Sequence, residues 1–230
     1  MVRIFTFAAM IIVSVAACAQ SFVSKRIKSV AEDYVLLMES KGYKSYAFDM
    51  TAFKDATYWV EPVVRHFHNG KEVNDAVGFS IRLSTRDMLP SESDGEKADS
   101  RALDAYDAAK GIYCLCERLR VGFIPTDSDN VVLTKFHVTE RASITLPLFL
   151  EKQRNPETGE TECIVGYRPF RVERIELGKF VPLAMVGVWW YDNDCKMFRF
   201  CGEDELTEGM SEDMLKFIPD YYVVGMKVYK

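Results

Sequence analysis

One segment, Phe180-Val181-Pro182-Leu183-Ala184-Met185-Val186-Gly187-Val188-Trp189-Trp190, is apolar at odd and even positions alike. In an extended chain successive side chains point to opposite faces, so a strand with this pattern must be covered on both sides. That requires a layer above and a layer below one sheet. With 48% hydrophobic and 13% aromatic side chains, the 230 residues can supply them.

The remaining patterns predict what those layers are. Residues 24–40 place Ile27, Val30, Ala31, Tyr34, Val35 and Met38 at helical spacing, with Gly42 as a stop. A second stripe, Ala102, Ala105, Tyr106, Ala109, Ile112, Tyr113, Cys116 and Leu119, predicts another helix, opened by a capping box at Ser93–Glu96 and closed at Gly122. Between them, Val77 to Ser84 alternates as a half-buried strand does. Upstream, Tyr58 to His68 leads into Asn69-Gly70, a two-residue hairpin signal. Pairing about that turn sets His66 opposite Val73, Val60 opposite Phe79 and Tyr58 opposite Ile81, with His66 and His68 on the apolar side. Pro62 predicts an edge or a bulge.

From about Asn130 the chain reads as a meander of short strands. Asn155–Gly159 and Asp192–Asp194 are its turns, and Tyr221 to Tyr229 is a closing strand. The expected fold is α+β: a largely antiparallel sheet with two long amphipathic helices packed on one face, as one domain over residues 20–230.

Residues 1–19 read as a cleaved signal peptide: Arg3, an apolar run from Ile4 to Val15, then small residues. The run is shorter than the roughly 18 residues a spanning helix needs. Ala17-Cys18-Ala19 fits ordinary signal peptidase, whereas Val15-Ala16-Ala17-Cys18 resembles a bacterial lipobox in which the Cys18 thiol is diacylated. The expectation is therefore an exported protein, periplasmic, at the outer-membrane surface or extracellular, with a possible lipid anchor but no transmembrane span in the mature part. Five cysteines remain, and the spacing of Cys114, Cys116, Cys195 and Cys201 favours free thiols.

Twenty-nine basic against 34 acidic residues give a net charge of -5, which argues against a nucleic-acid partner. Nucleotide-binding glycine loops, serine elbows and zinc-protease motifs are missing, which lowers the expectation of an enzyme. The Asp127–Asn130 run lacks the glycine and terminal glutamate of a calcium loop.

Two constellations remain. His66 and His68 stand two apart on a strand, so two imidazoles can converge on a metal, with a carboxylate such as Asp75 or the only other histidine, His137, to complete it. Adjacent Trp189 and Trp190 must face opposite ways, so one can stack on a sugar or a partner. The leading expectation is a non-enzymatic binding or assembly module of the bacterial envelope, with a protein or glycan as partner. The alternatives are a metal-dependent enzyme built on the histidines and a glycan-binding module built on tryptophan. No particular cofactor is implied.

Overall fold

The computed structural model describes residues 31–73, 81–89, 104–200, 204–207 and 215–230. One short helix, α1 (Ala31–Ser40), precedes β1 (Lys44–Asp49), β2 (Trp59–His68), β3 (Lys71–Val73), β4 (Leu83–Ser84) and β5 (Arg86–Met88). Then come β6 (Ile112–Leu115), β7 (Arg118–Pro125), β8 (Val131–His137), β9 (Ser143–Phe149), β10 (Gln153–Arg154) and β11 (Thr161–Glu162). The chain finishes with β12 (Val165–Pro169), β13 (Val181–Val188), β14 (Trp190–Asp192), β15 (Met197–Arg199) and β16 (Asp220–Tyr229).

Two antiparallel sheets form a sandwich. One has the order β1-β7-β8-β9; the other runs β12-β13-β16-β2-β3, with β4 also on β2. The main core lies between them: Leu119, Val121, Phe123, Phe136 and Leu148 from the first sheet meet Val60, Val186, Val224 and Val228 from the second. These residues alternate with polar or outward-facing neighbours on their strands, as a two-layer β-structure requires.

The both-parity segment is β13, buried along almost its whole length. A bulge between Pro182 and Ala184 inserts Leu183 and flips the parity. Leu183 and Val181 before it, and Ala184, Val186 and Val188 after it, therefore all serve the main core. Met185 faces the other way into a second cluster with Phe170, Leu206, Leu215, Ile218, Tyr221 and Val223. The six-stranded sheet is thus covered twice, by the second sheet and by irregular chain, with Phe170 bridged to Leu206.

The two-helix expectation is overturned: the protein is mostly antiparallel β-structure. Of the first expected helix, the described residues hold α1, whose Val35, Leu37 and Met38 are all exposed rather than packed in a core; residues 24–30 lie outside the described residues. The second helix does not form over its described part. Gly111 at φ 67° turns a single 3-10 turn at Ala108–Lys110 into β6, and β7 follows at once. Arg118-Leu119-Arg120-Val121 alternates with period two, burying Leu119 and Val121 and exposing both arginines. Closely spaced apolar residues at 112–116 satisfy a helical period as readily as a strand, which is why the stripe mimics a helix. Gly122, expected as a helix stop, sits mid-strand opposite Ser45 and Lys135. The Ser93–Glu96 capping box lies outside the described residues. Within the expected meander, the sequence pattern places a strand at Phe170 to Leu177, but residues 171–177 are irregular.

The Asn69-Gly70 turn forms with both φ values positive (48° and 73°), as a type I′ hairpin needs, and His66 faces Val73. Farther along, Val60 pairs with Leu83 rather than Phe79, a four-residue slip that preserves the faces. Pro62, which has no N–H to donate, lies on β2 between the stretches that the described residues pair to β3 and β4.

Candidate functional site

The β2–β16 register sets His68 beside Asp220 and His66 beside Tyr222. All four lie on the face toward the four-stranded sheet. Asp220 is 1% exposed. Its Oδ1 is 2.6 Å from His66 Nε2, and its Oδ2 accepts the Glu151 backbone N–H at 2.8 Å. His68 Nδ1 lies 3.2 Å from Glu151 Oε2 and 3.8 Å from Asp220 Oδ1. The His66 ring stacks on Tyr222 at 4.1 Å, and the Tyr222 hydroxyl donates to the Phe149 carbonyl at 2.9 Å. Asp220 and Tyr222 on one sheet thus grip the end of β9 on the other.

This arrangement is a clasp between sheets. His66 Nε2 is committed to Asp220, and the Asp220 carboxylate is divided between an imidazole and a backbone N–H. Among the described residues no group of three or more His, Cys, Asp or Glu side chains is placed to hold a metal ion. His137 does not join the pair. It stands at the Ser143 end of the β8–β9 hairpin, whereas Glu151 follows the Phe149 end, about 20 Å away at the strand rise.

His137 instead borders an open cleft of about 880 Å³ with Arg118, Arg120, Cys114 and Glu140. Burial first, then Arg120 and Lys135, hold its pKa below the ordinary histidine value. Cys114 shares the cleft, but burial raises its pKa, and the same cause pushes Cys116 to about 12 and Cys163 to about 11. Thiols in that condition are poor nucleophiles. Both of these residues and Cys195 are free, as is Cys114. Cys18 and Cys201 lie outside the described residues.

The tryptophans fall where the second cluster meets solvent. Trp189 is half-buried and stacks on Phe200 at 6.1 Å; its Nε1 is buried without a hydrogen-bond partner among the described residues. Trp190 is half-buried and stacks at 6.2 Å on Phe217, which is 58% exposed. A cavity of about 530 Å³ opens over the outer face of the six-stranded sheet, with Leu215 and Lys216, next to Phe217 in the chain, in its wall. Phe67 and Tyr221 line it, stacked at 4.9 Å and 3°, with Phe180 beyond. Arg65 reaches between Phe67 and Phe180, 5.4 and 5.3 Å from their ring centres, held from the side by Glu72 through Nε and Nη2. Its volume lies in the roughly 300–1,000 Å³ span of ligand pockets.

Sequence reasoning located the tryptophans but missed the cavity. Odd positions of β2 and β16 face outward, so the Phe67–Tyr221 alternation carried a signal. Phe180 was read only as part of a buried strand. The class is thus a two-sheet antiparallel β-protein with an aromatic outer face. The chain belongs to the family described as a domain of unknown function (DUF5041), whose model matches residues 14–230. No curated protein and no solved structure matches it. No helix among the described residues is long and apolar enough to cross a membrane.

Proposed function

We propose that this protein is exported from a bacterial cell and acts at the envelope or outside it as a non-enzymatic binding or assembly module. Its contact surface is the outer face of the six-stranded sheet, and its partner is a protein or a glycan. The observation that carries this reading is the exposed Phe217 ring stacked on Trp190 beside an aromatic-walled cavity. Exposed aromatic rings grouped beside a concavity mark interaction surfaces in water-soluble proteins. The leader pattern of residues 1–19 supports export.

Two measurements test the reading. Intact mass of the protein from its native host is expected to show either a Gln20 terminus or a diacyl group on Cys18. A chain retaining Met1 in the cytosolic fraction overturns export. For binding, a panel of surface glycans and purified envelope proteins is screened against the wild type and a Trp190→Ala/Phe217→Ala variant. A partner bound by the first and lost by the second, with the fold retained, supports the contact face. Equal binding by both rules that face out.

A further inference from the structure

We propose that the outer face of the four-stranded sheet, on the opposite side of the sandwich, binds a tetrahedral oxyanion, a phosphate or sulfate group, between Arg118, Arg120, Lys135 and His137. This site is independent of the aromatic face. Arg118 and Arg120 stand two apart on β7 and point outward together. Arg120 faces His137 across the ladder, and Lys135 stands two residues before His137 on the same side. Directly opposed side chains in an antiparallel pair have Cβ atoms about 5 Å apart, so these groups form one cationic cluster.

Like charges so placed repel each other unless something neutralises them. Lys44, Lys54, Arg65, Arg171 and Arg199 each hold a carboxylate. Among the described residues Arg118, Arg120 and Lys135 have neither an ion pair nor a side-chain hydrogen bond. In a chain of net charge -5, three grouped cations without an ion pair form a local exception, although Asp49 stands opposite Arg118 and Glu140 and Asp87 act on His137 from a distance. The floor beneath them is low: Ala47 pairs with Arg120, Gly122 with Lys135, Thr145 with Lys135 and Ser143 with His137. A ligand can therefore settle among the side chains.

The carboxylates nearby restrict its shape. Glu117 is engaged by Lys54 at 2.7 Å, and Asp49, opposite Arg118, accepts the Thr51 N–H at 2.8 Å. Asp104 and Glu140 stand exposed on the rim of the cleft. A compact anion at the centre avoids that rim, whereas a broad polyanion meets it. Four donor side chains also outnumber the two oxygens of a carboxylate and suit the three or four oxygens of phosphate or sulfate. Arginine forks bind such groups bidentately, and an imidazole with its proton affinity lowered still donates one N–H.

The test is an NMR titration of the folded chain at low ionic strength with inorganic phosphate, sulfate and acetate. Phosphate or sulfate is expected to shift the amides of 118–120 and 135–139 saturably, with a Kd of about 1 mM or tighter. The tighter of the two identifies the group. Acetate is expected to bind at least about tenfold more weakly, and Arg120→Gln to weaken phosphate or sulfate by about tenfold, the loss of one charged hydrogen bond. Arg118→Gln/Arg120→Gln abolishes saturation, while Lys227→Gln on the other sheet leaves it unchanged. These side chains are at the surface, so melting curves are expected to match the wild type. Linear shifts without saturation, equal affinity for acetate, or equal weakening by Lys227→Gln would overturn the site in favour of diffuse charge attraction.

Discussion

The six-stranded sheet is covered on one side by another sheet and on the other by irregular chain, and the two sides are built differently. Toward the four-stranded sheet, strands interlock over Phe136, Val186 and Val224, and Asp220 and Tyr222 tie the layers with hydrogen bonds. On the outer side, Leu206, Leu215 and Ile218 are buried, but Phe217 and Trp190 reach water and a cavity remains. The first side buries its aromatic and aliphatic surface for stability; the second leaves part of it uncovered.

That contrast predicts a gradient of mutational cost. Phe136→Ala, at a fully buried ring between the sheets, is expected to lose about 3–5 kcal/mol in urea unfolding, through lost transfer energy and a cavity. A loss below about 1 kcal/mol would mean that the inter-sheet core is not the stabilising layer. Asp220→Ala comes next, at about 2–3 kcal/mol, because it removes the acceptor of the Glu151 N–H and the carboxylate that His66 Nε2 meets. Asp220→Asn keeps an acceptor for one of them and is expected to lose less.

Gly225→Ala probes the boundary between cover and cavity. A methyl there runs into the Phe180 ring and the Val181 carbonyl oxygen. The ring can move but the backbone cannot yield cheaply, so about 1–3 kcal/mol is expected, together with a displaced Phe180 and a reshaped cavity. Phe217→Ala is expected to cost less than about 0.5 kcal/mol, since its ring is mostly in water already. A larger cost would make Phe217 part of the fold's support and weaken its assignment to a partner.

How far the sequence foretold this contrast depends on the range of each signal. Turn chemistry is local, so the hairpins at Asn69-Gly70, Asn155–Gly159 and Asp192–Asp194 were legible, as was the closing strand. Alternation is also local and put His66 and His68 on the apolar side. The partner that gives His66 its role, Asp220, is 154 residues away, and only strand order brings it there. Helix against strand failed where Ala102–Leu119 was rich in small apolar residues at mixed spacing. There the alternation of charge at Arg118 and Arg120 was the better guide, and it also marked the cationic face. The covering of β13 on both sides was readable from its composition; that a second sheet, not helices, covers it was not.

The smallest expected effect concerns pH. His137 faces Arg120 and Lys135, with Glu140 and Asp87 exerting a weaker opposite pull, and burial is the main reason its proton affinity is lowered in the folded state. The unfolded chain, with a histidine pKa of about 6.5, then binds a proton that the folded chain resists. The associated stability is fully present above about 6.5 and is lost as pH falls through 6.5 toward the lower folded value. Urea midpoints measured from pH 7.5 to 5 are expected to decline slightly more for the wild type than for His137→Gln. Adding phosphate is expected to shrink that difference, because an anion among the cations restores the proton affinity of the imidazole. If His137→Gln and the wild type decline in parallel without phosphate, neither burial nor the cationic neighbours lower the proton affinity of His137 in the folded chain.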